Sequence, residues 1–201
     1  MRYQIAQVYY DDATLKNCYE HQSVLKILNG HHTDYFENSI ISGMQDVALR
    51  YDFFAVWSHA HKYKIHGHPI DFNRLEGMME KFDLIAFQRM LRNGRIFSGA
   101  VQRKYQDMFN KIMEALKMKY RFPKRPKFVV MQNHFITRGY IFKDYCESVL
   151  DPAMRIINNM PEASERVDYR GKAKSYNFKP FLCEKLMSAY IEERNLKCAH
   201  W

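Results

Sequence analysis

The stretch Asp52-Phe-Phe-Ala-Val-Trp-Ser-His-Ala-His-Lys-Tyr-Lys-Ile-His-Gly-His68 decides how the chain is read. Phe53 to Trp57 is a short, almost unbroken apolar run, the pattern of a strand buried on both faces of a sheet. At Ser58 the sequence turns polar. His59, His61, His66 and His68 then stand with Lys62 and Lys64, and a Gly-His-Pro turn closes the segment. Sheets covered on both faces belong to α/β proteins, whose ligands occupy the crevice beyond the carboxyl ends of the strands. A cationic, aromatic segment leaving a buried strand is therefore the first place to look for a site.

The rest of the chain extends this α/β reading. Tyr3 to Tyr10 is rich in β-branched and aromatic residues, as a first strand should be. Asp11 or Asp12 can cap a following helix, which the spacing of Leu15, Cys18, Tyr19, Gln22, Leu25 and Leu28 predicts, with Asn29-Gly30 as its stop. Ser42 to Arg50 reads as a short helix and Phe72 to Phe82 as another. Leu84 to Phe87 reads as a buried strand. Val101, Tyr105, Met108, Phe109, Ile112 and Leu116 recur at helical spacing. Phe128 to Met131 reads as the last interior strand, with Gln132-Asn133-His134 at its carboxyl end. Two helices close the chain, Phe142 to Ile157, with a break at Pro152, and Pro180 to Glu193. The expected architecture is a single Rossmann-like domain with a mostly parallel central sheet flanked by helices.

The chain has 201 residues, 47% of them hydrophobic, which suits one folded domain. No apolar run reaches the roughly 20 residues of a membrane span, and Met-Arg-Tyr-Gln-Ile lacks the features of a signal peptide. Cys18, Cys146, Cys183 and Cys198 stand singly, which speaks against a zinc knuckle and suits a reducing compartment. The expected setting is the cytoplasm.

Net charge is +9, which favours a polyanionic partner or a phosphorylated substrate. The charge clusters in Lys117 to Lys127 and in Arg166 to Lys179. In the second cluster Arg166, Arg170, Lys172, Lys174 and Lys179 alternate with Tyr169, Tyr176 and Phe178, a pattern that fits a nucleic-acid groove or simply a solvated linker. The sequence has no Gly-x-Gly-x-x-Gly, no Gly-Lys-Ser/Thr and no Gly-x-Ser-x-Gly, so the commonest dehydrogenase, kinase and hydrolase readings fall away. The histidines have no accompanying carboxylate motif, and they fit donors to a diphosphate or a substrate better than a metal cage, with a plain solvated loop as the other reading. Glu37, Asp71 and Glu184 are carboxylates able to act as a base, each equally readable as a cap or dipole complement.

Met131-Gln-Asn-His-Phe-Ile-Thr-Arg-Gly-Tyr-Ile-Phe-Lys-Asp-Tyr-Cys-Glu147, followed by Leu182-Cys-Glu-Lys-Leu-Met-Ser-Ala-Tyr-Ile191, resembles a bacterial and phage family of GT-A-type glycosyltransferases. Tyr3 to Tyr10 is similar to the first nucleotide-binding strand of such enzymes, and Phe36-Glu-Asn-Ser-Ile40 to their Asp/Glu-Asn-Ile segment. The resemblance implies one glycosyltransferase domain over 1–201, with a nucleotide-sugar half (1–100) and an acceptor half (101–201) carrying a basic linker at 162–179. It implies donor contacts from Gln7, Tyr9, Asn38, Ser58, His59, His61, Lys62 and Lys64. Acceptor contacts would come from Asn133, His134, Arg170, Lys174 and Tyr176, and catalysis from Glu37, Asp71 and Glu184. The donor would be a nucleotide-sugar, a UDP-sugar in the first instance. The sequence departs from many GT-A enzymes in having no Asp-x-Asp after an interior strand. No metal ligand is assigned for that reason, and dependence on Mn or Mg is left open. The acceptor would be a hydroxymethylated base in DNA, given the basic charge, or alternatively a surface glycan or lipid. A non-catalytic nucleic-acid-binding domain explains the charge equally well.

Overall fold

The computed structural model describes residues 1–29, 35, 37–61, 70–87, 97, 99–122, 128–130, 133–168 and 175–201. In chain order the elements are β1 (Tyr3–Tyr9), α1 (Asp12–Leu15), β2 (Val24–Leu28), α2 (Asn38–Gly43), α3 (Gln45–Ala48), β3 (Phe53–Ser58), α4 (Phe72–Met79) and β4 (Leu84–Ala86). They continue with α5 (Gly99–Ala115), β5 (Phe135–Arg138), α6 (Gly139–Tyr145), a π-helical turn (Cys146–Leu150) and α7 (Asp151–Asn158). A 3-10 turn (Pro161–Ser164), β6 (Arg166–Asp168), β7 (Ser175–Asn177), α8 (Lys179–Arg194) and β8 (Cys198–His200) complete the chain.

The main sheet has the order β2-β1-β3-β5-β4-β8. β1 lies parallel to β2 and β3, β4 parallel to β8, and β5 runs antiparallel to both its neighbours. The α/β expectation and the mostly parallel sheet are therefore met. Alternation along each strand divides the core. Phe54, Val56, Ala6, Val8, Leu84, Ala86 and Phe135 face the side covered by α2, α3, α5 and the C-terminal helices. Phe53, Ala55, Trp57, Tyr3, Ile5, Ile85 and Ile136 face the side covered by α4 and Tyr19. Every residue of β3 is buried, as its unbroken apolar run requires. No helix among the described residues is long and apolar enough to cross a membrane.

Four sequence expectations are corrected. The helix expected up to Leu28 lasts one turn. Asp11 does cap it, in a reciprocal box with Thr14, but Val24–Leu28 is an edge strand paired with β1. A buried amide overrides the helical spacing. The backbone N–H of Tyr19 donates to Gln7 Oε1 at 2.8 Å, fastening the chain to β1. Asn29 consequently ends a strand, not a helix; Gly30 lies outside the described residues.

Phe128 to Val130 is not a strand. Its backbone polar groups are answered by a side chain: Val130 N–H donates to Ser188 Oγ at 2.9 Å, and the Ser188 hydroxyl donates back to Val130 O at 3.2 Å. The strand comes later, as β5, and Asn133-His134 precede it. The described residues of the linker 162–179 include the end of the 3-10 turn and the antiparallel pair β6–β7. Finally, Pro152 does not break the helix expected to stop there. It sits in the first turn of α7, where a missing N–H costs little.

The expected 42–50 helix is two short ones, the first starting at Asn38. β8 was not foreseen. It fills the open edge of β4. The halves 1–100 and 101–201 share one sheet, because β5 and β8 pair with strands of the first half.

Candidate functional site

β1 is flanked by β2 on one side and β3 on the other, so the chain reverses its direction of travel across the sheet at this point. Such a reversal leaves a crevice at the carboxyl ends of the two strands, where α/β folds bind ligands. β1 leads into Tyr10 and Asp11 there, and β3 into His59 and His61. The backbone N–H of His59 donates to Val8 O at 2.7 Å, holding the two exits together. Because β5 is antiparallel, its amino end lies at this same edge. Asn133 and His134 therefore reach the crevice although they precede a strand instead of following one. Phe87 N–H donates to His134 O at 2.8 Å and ties the end of β4 to them.

One wall is aromatic. His61, fully buried, lies flat on Trp57 with ring centroids 3.9 Å apart and planes 7° from parallel. Its Nδ1 is 3.3 Å from the Tyr19 hydroxyl. His134, also fully buried, meets it edge-on at 4.7 Å, and Phe87 does so at 5.0 Å. The Trp57 indole N–H donates to Phe135 O at 2.8 Å, fixing the ring on which His61 rests. Burial pushes the Tyr19 hydroxyl well above its ordinary range, so it stays protonated.

The facing wall is polar. Tyr10 donates to Glu37 Oε1 at 3.0 Å and meets His59 edge-on at 5.3 Å. Burial first, then the Glu37 charge, hold the Tyr10 phenol well above its usual range. Glu37 precedes α2 without capping it, so its carboxylate is turned to Tyr10 and not to the helix. Next to it, Asn38 donates to Tyr35 O at 2.9 Å and accepts from Asn133 Nδ2 at 3.0 Å. Asn133 holds a left-handed backbone, φ +57, which asparagine tolerates better than most residues. Ser58 Oγ and Asn133 Oδ1 are buried with no hydrogen-bond partner among the described residues.

Of the residues singled out from sequence, the crevice gathers Glu37, Asn38, Ser58, His59, His61, Asn133 and His134. Gln7 is beside them but structural: besides holding Tyr19 it donates through Nε2 to Ser58 O at 3.3 Å. Both ends of its amide are occupied, so it is removed from the donor contacts. Tyr9 ends β1 half-buried, its carbonyl accepting from Asn29 N–H at 2.8 Å. Asp71 is corrected from base to cap: it is exposed, and its Oδ1 accepts from Asn73 N and Arg74 N at the start of α4.

Glu184 is half-buried on α8, one turn before Ser188, and its charge acts on Tyr105, Cys183 and Lys185. Tyr176 belongs to β7, paired with Val167, and its ring packs on Phe181 at 6.3 Å. Lys62, Lys64, Arg170 and Lys174 lie outside the described residues. Tyr10 and Tyr19 were missed. Tyr10 could have been found from its place between a strand end and Asp11, whereas Tyr19 was absorbed into a false helical spacing.

Among the described residues no three His, Cys, Asp or Glu side chains form a metal cluster. The arrangement offers a tyrosine-bound carboxylate, imidazoles on an aromatic floor, and two buried polar atoms without a partner among the described residues. No family model matches the chain, and neither a curated protein nor a solved structure does.

Proposed function

We propose that the crevice between β1 and β3 is the active site of a glycosyltransferase that moves a sugar from a nucleotide-sugar to a hydroxyl acceptor. The observation that carries this reading is the convergence of Glu37, Asn38, His59, His61, Asn133 and His134, from three separate parts of the chain, at the strand reversal. The sheet, parallel but for one inserted strand, is compatible with the GT-A-type fold that the resemblance implies.

In this mechanism the acceptor hydroxyl gives its proton to the Glu37 carboxylate, which Tyr10 orients. The acceptor oxygen forms its bond to the anomeric carbon as the bond from that carbon to the phosphate oxygen breaks. The nucleoside diphosphate leaves with that electron pair. In this reading His59 and His61 donate hydrogen bonds to it, a stabilisation that counts most in a site shielded from water. Each proton and electron pair has a destination without any further reagent.

The test is release of nucleoside diphosphate from a panel of sugar nucleotides, with and without Mn²⁺ and with and without hydroxymethylated DNA. Release stimulated by DNA supports the DNA acceptor, and a base in a duplex would then have to be flipped out. Release indifferent to DNA supports a glycan or lipid acceptor. No release from any donor, with tight and salt-sensitive DNA binding, overturns the enzyme in favour of a binding domain, which the net charge of +9 also suits.

A further inference from the structure

β5 runs antiparallel to β3 and to β4, and β8 is parallel to β4, so the carboxyl ends of β3, β4 and β8 lie along one edge of the sheet. Rings continue along that edge beyond His61. Phe87, after β4, stands 5.0 Å from His61 and 5.7 Å from Trp201, which follows β8. The Trp201 backbone N–H donates to Ala86 O at 2.9 Å and seats the residue there. Over the indole lies the Arg74 guanidinium, its Cζ 4.6 Å from the ring centroid.

This pair is open where its neighbours are closed. Trp57, His61 and Phe87 are buried, whereas Trp201 is partly exposed and Arg74 exposed. Arg74 stands in the first turn of α4, where the helix dipole disfavours a cation. Among the described residues it pairs with no carboxylate. Helix stability does not account for its position, and cation–π attraction to the indole does. A guanidinium held in this way keeps a side turned from the indole, and it is planar and weakly hydrated, so it stacks on rings. A carboxylate or an inorganic phosphate would use only its charge, and a neutral ring only its flat surface. A nucleotide brings both a base and a phosphate, and the net charge of +9 attracts such anions.

We infer that Arg74 and Trp201 form a nucleotide-binding shelf, on which a base stacks against the guanidinium while its phosphate meets the N–H groups. The shelf needs no sugar transfer, so it goes beyond the reaction proposed above. A free nucleotide and a base within a single strand share this chemistry.

The protein has two tryptophans, and Trp57 is fully buried, so a ligand on the shelf quenches Trp201 selectively. The full-length protein is titrated with nucleoside monophosphates, oligothymidylate and inorganic phosphate, with emission excited where nucleotides do not absorb and affinities taken by calorimetry. Quenching by a nucleotide or the oligonucleotide, and not by inorganic phosphate, is expected. It should vanish in Trp201→Phe, whose remaining emission comes from Trp57. Arg74 is exposed, so its variants spare the fold. Arg74→Ala should weaken binding about fivefold to hundredfold. Arg74→Lys should weaken it nearly as much, because lysine keeps the charge without the plane. Quenching by monophosphates assigns the shelf to free nucleotides, and quenching by oligothymidylate alone assigns it to a strand. Full affinity in Arg74→Lys, or equal binding of inorganic phosphate, reduces the pair to an anion contact and overturns the inference. Binding that leaves Trp201 emission unchanged overturns it too, as does no binding at all. Nucleoside-diphosphate release, measured on the same preparations, reports on the transferase separately. Release that persists while the shelf takes no nucleotide leaves that reading intact.

Discussion

His61 rests on Trp57 as one flat plate on another, 3.9 Å away, and both are fully buried at the mouth of β3. The stacking explains how an imidazole is held in one plane at the end of a strand. It also separates the two jobs of the residue. The ring fills space, and in the proposed site its nitrogens would meet the diphosphate.

His61→Phe should keep the packing and lose the chemistry. We expect thermal stability to change little, while affinity for a nucleoside diphosphate falls about tenfold, the value of a hydrogen bond to a charged group. His61→Ala should instead be unstable by roughly 2–4 kcal/mol through the cavity left on Trp57. Paired melting and calorimetric titrations check both. A His61→Phe protein that binds diphosphate as well as wild type would remove His61 from the site.

Glu37→Gln should lower transfer about 10²- to 10⁴-fold with donor affinity preserved, as expected for loss of a base. Tyr10→Phe frees the carboxylate without removing it, so a smaller loss is expected, about tenfold. Single-turnover kinetics beside donor titrations separate the two effects. Equal losses in kcat and in donor affinity would make Glu37 a binding residue.

Gly139→Ala tests the fold and not the site. An added Cβ would stand 2.2 Å from Ala48 O and 2.4 Å from Tyr51 O, both backbone atoms. Neither can swing aside, so the strand-to-helix junction must shift. Loss of at least about 2 kcal/mol is expected in urea denaturation, and a variant within 0.5 kcal/mol of wild type would contradict the close approach.

Lys185 supplies a pH signature. It is buried on α8, and desolvation draws its ammonium down to about 8 against the upward pull of Glu184. Below pH 8 both states hold the proton and the native state bears the cost of burying the charge. Between about pH 8 and 10.5 the native state releases its proton while the unfolded state keeps it, so this contribution improves as pH rises. Burial raises the thiols of Cys146, Cys183 and Cys198, which acts oppositely above their ordinary range near 9. Comparing wild type with Lys185→Met cancels that term. The difference should move in favour of wild type by about 2 kcal/mol between pH 7 and 9.5, and a flat difference would refute the shift.

These outcomes depend on parts of the molecule that were unequally legible. β3 could be read from its residues alone, because a strand buried on both faces writes its environment in an unbroken apolar run. Asp11 could be read as a cap, since capping is local chemistry. β2 could not. Val24 to Leu28 fits a helical spacing as well as a strand, and it was decided by Gln7, seventeen residues before Val24. The Phe128 to Val130 segment has the composition of a strand, but Ser188, far along the chain, takes up Val130's hydrogen bonds.

The candidate site followed the same rule. Glu37, Asn38, His59 and His61 were found because they flank recognisable elements. Gln7 was taken for a ligand because sequence does not show which amides a fold uses internally. Asn133 and His134 were chosen for standing after a strand. They stand before one, and the antiparallel direction of β5 brings them to the same edge.

That reversed strand has a consequence for how the protein can change. One end of β5 is wedged, with Gly139 jammed against the backbone of Ala48 and Tyr51, so chain length there is fixed. The other end delivers Asn133 to the crevice. A single residue added after Arg138 should therefore undo the sheet. The molecule keeps its anchor and its candidate site at opposite ends of a four-residue strand.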